Sequence, residues 1–277
     1  MRTLYWLTAS AAALLLAAGC SELPTRSAPA APTPEARQAL APTGKLRVAL
    51  QIGTPHNVLR DATSGDMKGV AFDLGREMAR RLGVGFEPVL YPSVGALLEA
   101  GKTGAWDVAF VGYSAARAVE WDFTALHLEI EFGYLVPRSS AIATITDVDK
   151  AGVRVAVQEK SGPDAFFTRT LKNVTMVRTP SNAAALEAVN GGKADVMASI
   201  KPVLFEQAGR LPGSRVLDDR AGVDPHAMAL PKGRGPGLTY ARQFVEDAKS
   251  EGLINSAIRS SGMRGATAAS KATTPPR

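Results

Sequence analysis

The chain has 277 residues, 45% of them hydrophobic and 21% charged, which is the balance of a globular protein with room for a sizeable core. Its net charge of +6 is dispersed: residues 1–43 carry +1 (Arg2, Arg26 and Arg37 against Glu22 and Glu35), the tail from residue 265 carries +2 (Lys271 and Arg277), and +3 remains for the middle. No Lys/Arg run and no basic stretch interleaved with aromatics occurs, which argues against nucleic acid as a partner.

The N-terminal "MRTLYWLTASAAALLLAAGC" has a basic start at Arg2, an apolar stretch from Leu4 to Ala18 and small residues before the single cysteine, Cys20. The stretch is short for a membrane span and patterned as an export signal. It resembles a bacterial lipoprotein signal (residues 1–20), which implies lipidation of Cys20 and a membrane tether; Ala17 stands where Leu is commoner. One cysteine excludes an intrachain disulfide, so the fold rests on its core. Residues 21–43, rich in Pro, Ala, Ser and Thr without apolar periodicity, predict an extended tether. The tail 265–277 predicts a flexible end.

Between them strands and helices alternate. "KLRVALQI" (45–52) reads as a buried strand. An amphipathic helix follows over 70–84, with Leu74, Met78 and Leu82 on one face, Asp73 as its cap and an end near Gly83. Strand 85–91, helix 93–104 and strand 106–112 come next, and "EFGYLVP" (131–137) is another strand. A second run begins at 152–158, with helix 162–171, strand 174–179, helix 181–192 and strand 194–200. A returning strand (225–233) and a last helix (237–262) complete the chain. The same β-α-β-α-β order occurs twice, so two α/β lobes with helix-flanked parallel sheets are expected. Trp106 and Trp121 read as packing residues.

Six segments in order, "GKLRVAL", "GVAFDLGREMARRLGV", "LLEAGKTGAWDVAFVG", "SAARAVEWDFT", "DVDKAGVRVAVQEKSG" and "AALEAVNGGKADVM", resemble the bacterial extracellular solute-binding proteins of family 3, across about residues 44–264. The resemblance implies a two-lobed periplasmic-binding-protein type II fold, with two hinge crossovers near 132–138 and 226–231. Lobe 1 would be 44–132 plus 232–264, and lobe 2 would be 138–226. It further implies a monomer in the periplasm that needs no cofactor or metal. Such a protein closes on a small solute and presents it to an ABC permease in the inner membrane.

In the family an Arg after a Ser/Thr-Pro-X motif holds a ligand carboxylate, and Arg117 occupies that place behind Gly112, Tyr113 and Ser114. Ser114 reads as a helix cap, and a guanidinium beside it makes an anion pocket. Ser161 and Gly162 of "KSGPDAFF" would close over the same anion from lobe 2. Asn57 and His56 lie in the loop after the first strand, and Ser199 and Ile200 end the last strand of lobe 2. Where amino-acid binders of the family place an Asp for the ligand's ammonium, this chain has Ile200. The aromatic that covers the ligand maps to Val94. These departures favour a small carboxylate or other organic anion over an ordinary α-amino acid. His127, Glu129, Glu131, Glu159 and Lys160 read as loop or surface groups.

Three other readings stay open at this level. An accessory protein would dock on a periplasmic partner instead of serving a permease. A cleft-derived dehydratase or lyase would need a buried acid, for which Glu131 or Glu159 are candidates. "GYSAA" stands one residue from a nucleophile elbow, which would pair Ser114 with Asp195 or Asp219 and His226, but no oxyanion loop is recognisable.

Overall fold

The computed structural model describes residues 31–270. Helix α1 (Pro34–Leu40) leads into β1 (Lys45–Gln51), a small hairpin of β2 (Leu59–Arg60) and β3 (Met67–Lys68), α2 (Val70–Leu82), β4 (Gly85–Tyr91), α3 (Val94–Gly101), β5 (Val108–Gly112), the short α4 (Ala115–Glu120) and the 16-residue β6 (Trp121–Val136). The second run comprises β7 (Arg154–Gln158), α5 (Gly162–Thr170), β8 (Thr175–Thr179), α6 (Asn182–Asn190), β9 (Val196–Ile200) and α7 (Lys201–Ala208). After β10 (Arg215–Val216), β11 (Gly222–Pro231) returns, followed by α8 (Gly235–Ser250), α9 (Leu253–Ser260) and β12 (Ala266–Ala268).

The strands run in the order β4-β1-β5-β11-β6-β9-β7-β8. β4, β1 and β5 are mutually parallel, as are β9, β7 and β8. Between these triplets lie β11 and β6, antiparallel to each other and to their outer neighbours. Two parallel units therefore share a pair of antiparallel strands, and this is the two-lobed architecture expected from the alternating sequence. Each parallel strand is separated from the next by a crossover helix, which covers the sheet faces.

The two halves repeat a polar fastening as well as a topology. In the first, the Asp107 carboxylate accepts from Arg47 N (3.0 Å), Nε (3.0 Å) and Nη2 (2.8 Å), while Arg47 Nη1 donates to Gly104 O. In the second, Asp195 accepts from Arg154 N (2.8 Å), Nε (3.1 Å) and Nη2 (2.7 Å), while Arg154 Nη1 donates to Gly192 O. Each clamp ties the start of a unit's first strand to the loop before its third. Arg234, at the start of α8, adds a second guanidinium to Asp107 (2.8 Å), which locks the C-terminal segment onto the first unit.

Several elements depart from the sequence reading. Residues 34–40, expected within an extended tether, are helical: Thr33 accepts from Ala36 N, Pro34 opens the helix, and Ala36 and Leu40 are buried. Two apolar positions one turn apart are enough to dock it on α8, yet too few to show as periodicity among prolines and alanines. Ala266–Ala268, expected in a loose tail, pair antiparallel with Leu128–Ile130 of β6, and Ala269 is buried behind them. β6 begins ten residues before the strand predicted at 131, and α7 has no counterpart in the reading. α2 starts at Gly69 as cap, so Asp73 lies in its first turn and pairs with Arg76 instead of capping. Cys20, the signal, residues 21–30 and residues 271–277 lie outside the described residues.

Trp106 and Trp121 pack as expected, with ring centroids 4.9 Å apart. The contact depends on Gly101, where an added Cβ would fall 2.3 Å from Trp106 Cζ2 and 2.6 Å from Trp121 Cη2. Gly101→Ala is expected to lose about 1–3 kcal/mol of stability through overpacking. Urea denaturation measures it, with Gly235→Ala, where nothing stands within 4 Å, as the neutral control.

Candidate functional site

β1 and β7 end in the same residue type at the same place, "RVALQ" and "RVAVQ", and both ends point to the junction of the units. There Gln51 Nε2 donates to Gln158 Oε1 across the gap (3.4 Å). The loop after β1 folds back on itself: Asn57 Oδ1 accepts from Gln51 N (3.3 Å) and its Nδ2 donates to Phe110 O (3.4 Å). This placement requires Gly69 (φ +155°), because a Cβ there would lie 2.2 Å from the Asn57 carbonyl oxygen.

β5 delivers the second group. It ends at Gly112, the chain turns at Tyr113, and the Ser114 hydroxyl accepts from Arg117 N (3.2 Å), capping α4 as predicted. α4 has six residues, so the mismatch between a cation and its macrodipole is slight. Arg117 Nη1 bends back to donate to Gly112 O (2.6 Å), the one hydrogen bond its guanidinium makes among the described residues. Burial pulls the Arg117 pKa down from the ordinary arginine value, and the Asp224 charge offsets part of that. An arginine so placed keeps its charge. In the other unit Ser161 caps α5, accepting from Asp164 N (3.1 Å) and donating to Gln158 O (2.6 Å). Pro163 follows in the first turn.

β11, one of the shared strands, brings the third set. Asp224 is 6% exposed and accepts from His226 Nε2 (2.9 Å). His56 stands edge-on to His226 (5.2 Å), and His127 lies 6.5 Å from His226 and 5.3 Å from Phe110. All three histidines, scattered in sequence, are thus buried together. Burial, reinforced by the neighbouring imidazoles, holds the pKa values of His56 and His127 well below the ordinary histidine value.

Most of these groups, though not His127, line one partly open cavity of about 40 Å³. Of the predicted residues it gathers Asn57, Gly112, Arg117, Ser161, Gly162, Ser199 and Ile200, with Val94 on its wall. Ser114 and Tyr113 face an outer depression instead; the Ser114 hydroxyl is committed to its helix cap, and Tyr113 packs on Phe123 (5.2 Å). Glu131 is drawn to Lys201 (2.8 Å), and Glu159 lines a separate surface hollow, so neither acid reaches the cavity. The sequence reading missed Gln51, Gln158 and Asp224 and discounted His56. The repeated strand-end glutamine was a signal for the first two. Asp224 had none: it stands on β11 just after Asp218 and Asp219, and nothing local separates it from those acids. Two buried atoms in the cavity wall, Gln158 Nε2 and His56 Nδ1, have no hydrogen-bond partner among the described residues, the mark of a site that awaits a polar guest.

The family profile of the bacterial extracellular solute-binding proteins, family 3, matches residues 46–255. The chain belongs to that family. Among curated protein sequences none matches. As a family-3 protein it acts outside the cytoplasm, and among the described residues no helix is long and apolar enough to cross a membrane. Its fold is that of several solved structures. An amino-acid ABC transporter substrate-binding protein of Streptococcus pneumoniae bound to L-arginine shares 21% identity (TM-score 0.72), over 81% of this chain and 97% of that one. The solute receptor for L-cysteine of Neisseria gonorrhoeae shares 20% (TM-score 0.72), over 81% and 92%. An ancestral amino-acid-binding protein, described as a precursor of cyclohexadienyl dehydratase, shares 24% (TM-score 0.70), over 81% and 98%.

Proposed function

We propose that this protein is the capture component of an ABC importer, and that Arg117 holds the carboxylate of a small solute in the cleft between the two units. The observation that carries this is the convergence of buried polar groups from both units on a single cavity, with the Arg117 guanidinium short of hydrogen-bond partners. The ligands named for the two amino-acid relatives, L-arginine and L-cysteine, both carry a carboxylate. Ligand contacts drawn from both units would favour the closed form over the open one, which is the condition for ligand-driven closure. The lobe limits (44–132 plus 232–264, and 138–226), the lipid anchor at Cys20 and delivery to an inner-membrane permease belong to the same proposal.

Arg117→Ala is expected to cost roughly 1.5–3 kcal/mol of affinity for a carboxylate ligand, the worth of hydrogen bonds to a charged group, with melting temperature little changed. Isothermal titration calorimetry on a ligand found by thermal-shift screening measures it, and unchanged affinity would remove Arg117 from the site. A second reading has one observation behind it: the hydrogen-bonded Asp224–His226 pair beside Arg117 is an acid–base couple that a lyase could use. Product formation from the screened ligand, abolished by Asp224→Asn, would decide for that reading.

A further inference from the structure

The C-terminal residues lie against the strand that joins the two units. One edge of β6 is taken by β11 over Trp121–Phe132, so any other partner along that stretch must use the opposite edge. Two strands do so, end to end. β12 pairs with Leu128–Ile130 and Glu131 N donates to Gly265 O (2.9 Å), while β9 pairs with Phe132–Leu135. β9 is part of the second unit. β12 follows α9, in the C-terminal segment that Arg234 ties to the first. The partner of β6 therefore changes from one unit to the other between Glu131 and Phe132, opposite Val223 and Gly222 of β11. We infer that the units pivot there, and that residues 264–269 are a strap across the pivot that holds them near the closed arrangement.

The strap is fastened on both sides. Towards the first unit it makes the β6 ladder, ends with Ala269 N donating to His127 O (3.1 Å), and buries the Ala269 side chain. Towards the second, the Arg264 guanidinium lies over the Phe205 ring of α7, 3.7 Å from its centroid. Gly265 passes directly against Lys201, with a φ of +72° and with a virtual Cβ only 2.6 Å from Lys201 Cβ, so glycine alone fits there. Lys201, 7% exposed, donates to the Glu131 carboxylate across the change of unit (2.8 Å) and to Asp218 O (2.6 Å).

Two connecting strands alone would bend through small changes in a few backbone dihedral angles. With the strap in place, turning α7 away from β12 also pulls Arg264 off Phe205 and stretches the Lys201–Glu131 pair, whose buried ammonium is costly to leave without its partner. These contacts are made in the arrangement where Gln51 meets Gln158 across the gap, which is the closed one. The strap thus biases the protein towards closure before any solute arrives. This rests on the hinge motion in the proposed function, but neither on Arg117 nor on the identity of the solute.

Spin labels at Val119→Cys on α4 and Ala165→Cys on α5, both exposed, report the separation of the units by double electron–electron resonance. The full chain is used without ligand, with Cys20→Ser to keep labelling specific. Arg264→Gln combined with Thr267→Pro removes the ring contact and takes a backbone N–H from the ladder opposite Glu129. The pair is expected to lengthen the distance by several ångströms and to broaden its distribution. Phe205→Leu, which keeps an apolar side chain, is expected to shift it the same way by less. Gly95→Phe on the intact strap serves as a wedge, since a Cβ at Gly95 stands 3.6 Å from Lys160 Cβ of the other unit. Widening by the wedge without widening by the strap variants would overturn the strap and leave hinge closure standing. No widening in any variant would overturn both. A shorter distance in the strap variants would also overturn the inference, since the strap would then be holding the units apart. Should Thr267→Pro fail to fold, Arg264→Gln and Phe205→Leu decide alone.

Discussion

Asp107→Ala is expected to lower stability by about 3–5 kcal/mol, the penalty for stranding the partners of a buried charge, whereas Asp195→Ala loses only a small part of that. The two carboxylates are near-copies in geometry, each clamping an Arg from backbone N–H to guanidinium. Their surroundings differ. The Asp107 side chain is wholly buried and bonded to two guanidiniums that are themselves four-fifths buried, those of Arg47 and Arg234. Removing it takes the counter-charge from two cations, each left with one backbone carbonyl (Gly104 O for Arg47, Ala39 O for Arg234), strands the Arg47 N–H and frees the start of α8 from Asp107. The Asp195 side chain is 37% exposed and its Arg154 partner 40% exposed, so water replaces the lost bonds and screens the freed charge. Urea denaturation of both variants, with matching m-values as the check for two-state unfolding, measures the contrast. Equal losses would mean that the repeated clamp, and not burial, sets the energy.

The alternation of apolar strands and amphipathic helices is a local property, so the chain order of both parallel units could be read from residues alone. Gly83, in the left-handed conformation (φ +69°) after α2, and the serine caps Ser114 and Ser161 fell where local chemistry put them. What escaped had its cause elsewhere in the molecule. Residues 121–130 alternate imperfectly, as "WDFTALHLEI", because β6 is covered on both sides by neighbours that no local pattern announces; its partner β11 comes nearly a hundred residues later. α1 and β12 gain their order from surfaces already built, those of α8 and β6.

The site divides in the same way. Arg117, Ser161 and Gly162 sit at strand-to-helix turns, whose caps and glycines are visible in sequence. Asp224 and His226 lie on the shared strand, where their meaning depends on facing Gly112 and Gly162 from separate units. His56 and His127 looked like loop groups because nothing nearby in the chain explains a buried imidazole. Their explanation is each other, with His226 and Phe110 completing the packing.

That packing has a consequence in pH. His56 and His127 are buried, and their pKa values are pushed well below the ordinary histidine value, first by loss of solvation, then by the imidazole of His226, and for His127 also by the buried ammonium of Lys249. The folded chain therefore keeps both neutral, while the unfolded chain takes up a proton on each as pH falls through about 6.5. More protons bound to the unfolded state means that stability rises with pH. It is fully present above about pH 7 and falls from there down to the depressed folded-state values. Each histidine contributes a slope of at most about 1.4 kcal/mol per pH unit within that window, so the pair together sets a slope of at most twice that as pH falls below the ordinary histidine value. The same window lies above the range in which most carboxylates titrate, which isolates the effect. His127→Gln keeps a polar side chain and removes the titration; His56→Gln removes the second. Denaturant unfolding from pH 7.5 to 5 is expected to show the slope of stability against pH halved by either replacement and flattened by both. A wild-type slope that survives the double replacement would show that these imidazoles gain no proton on unfolding, and with it that the cluster is not buried as a neutral group.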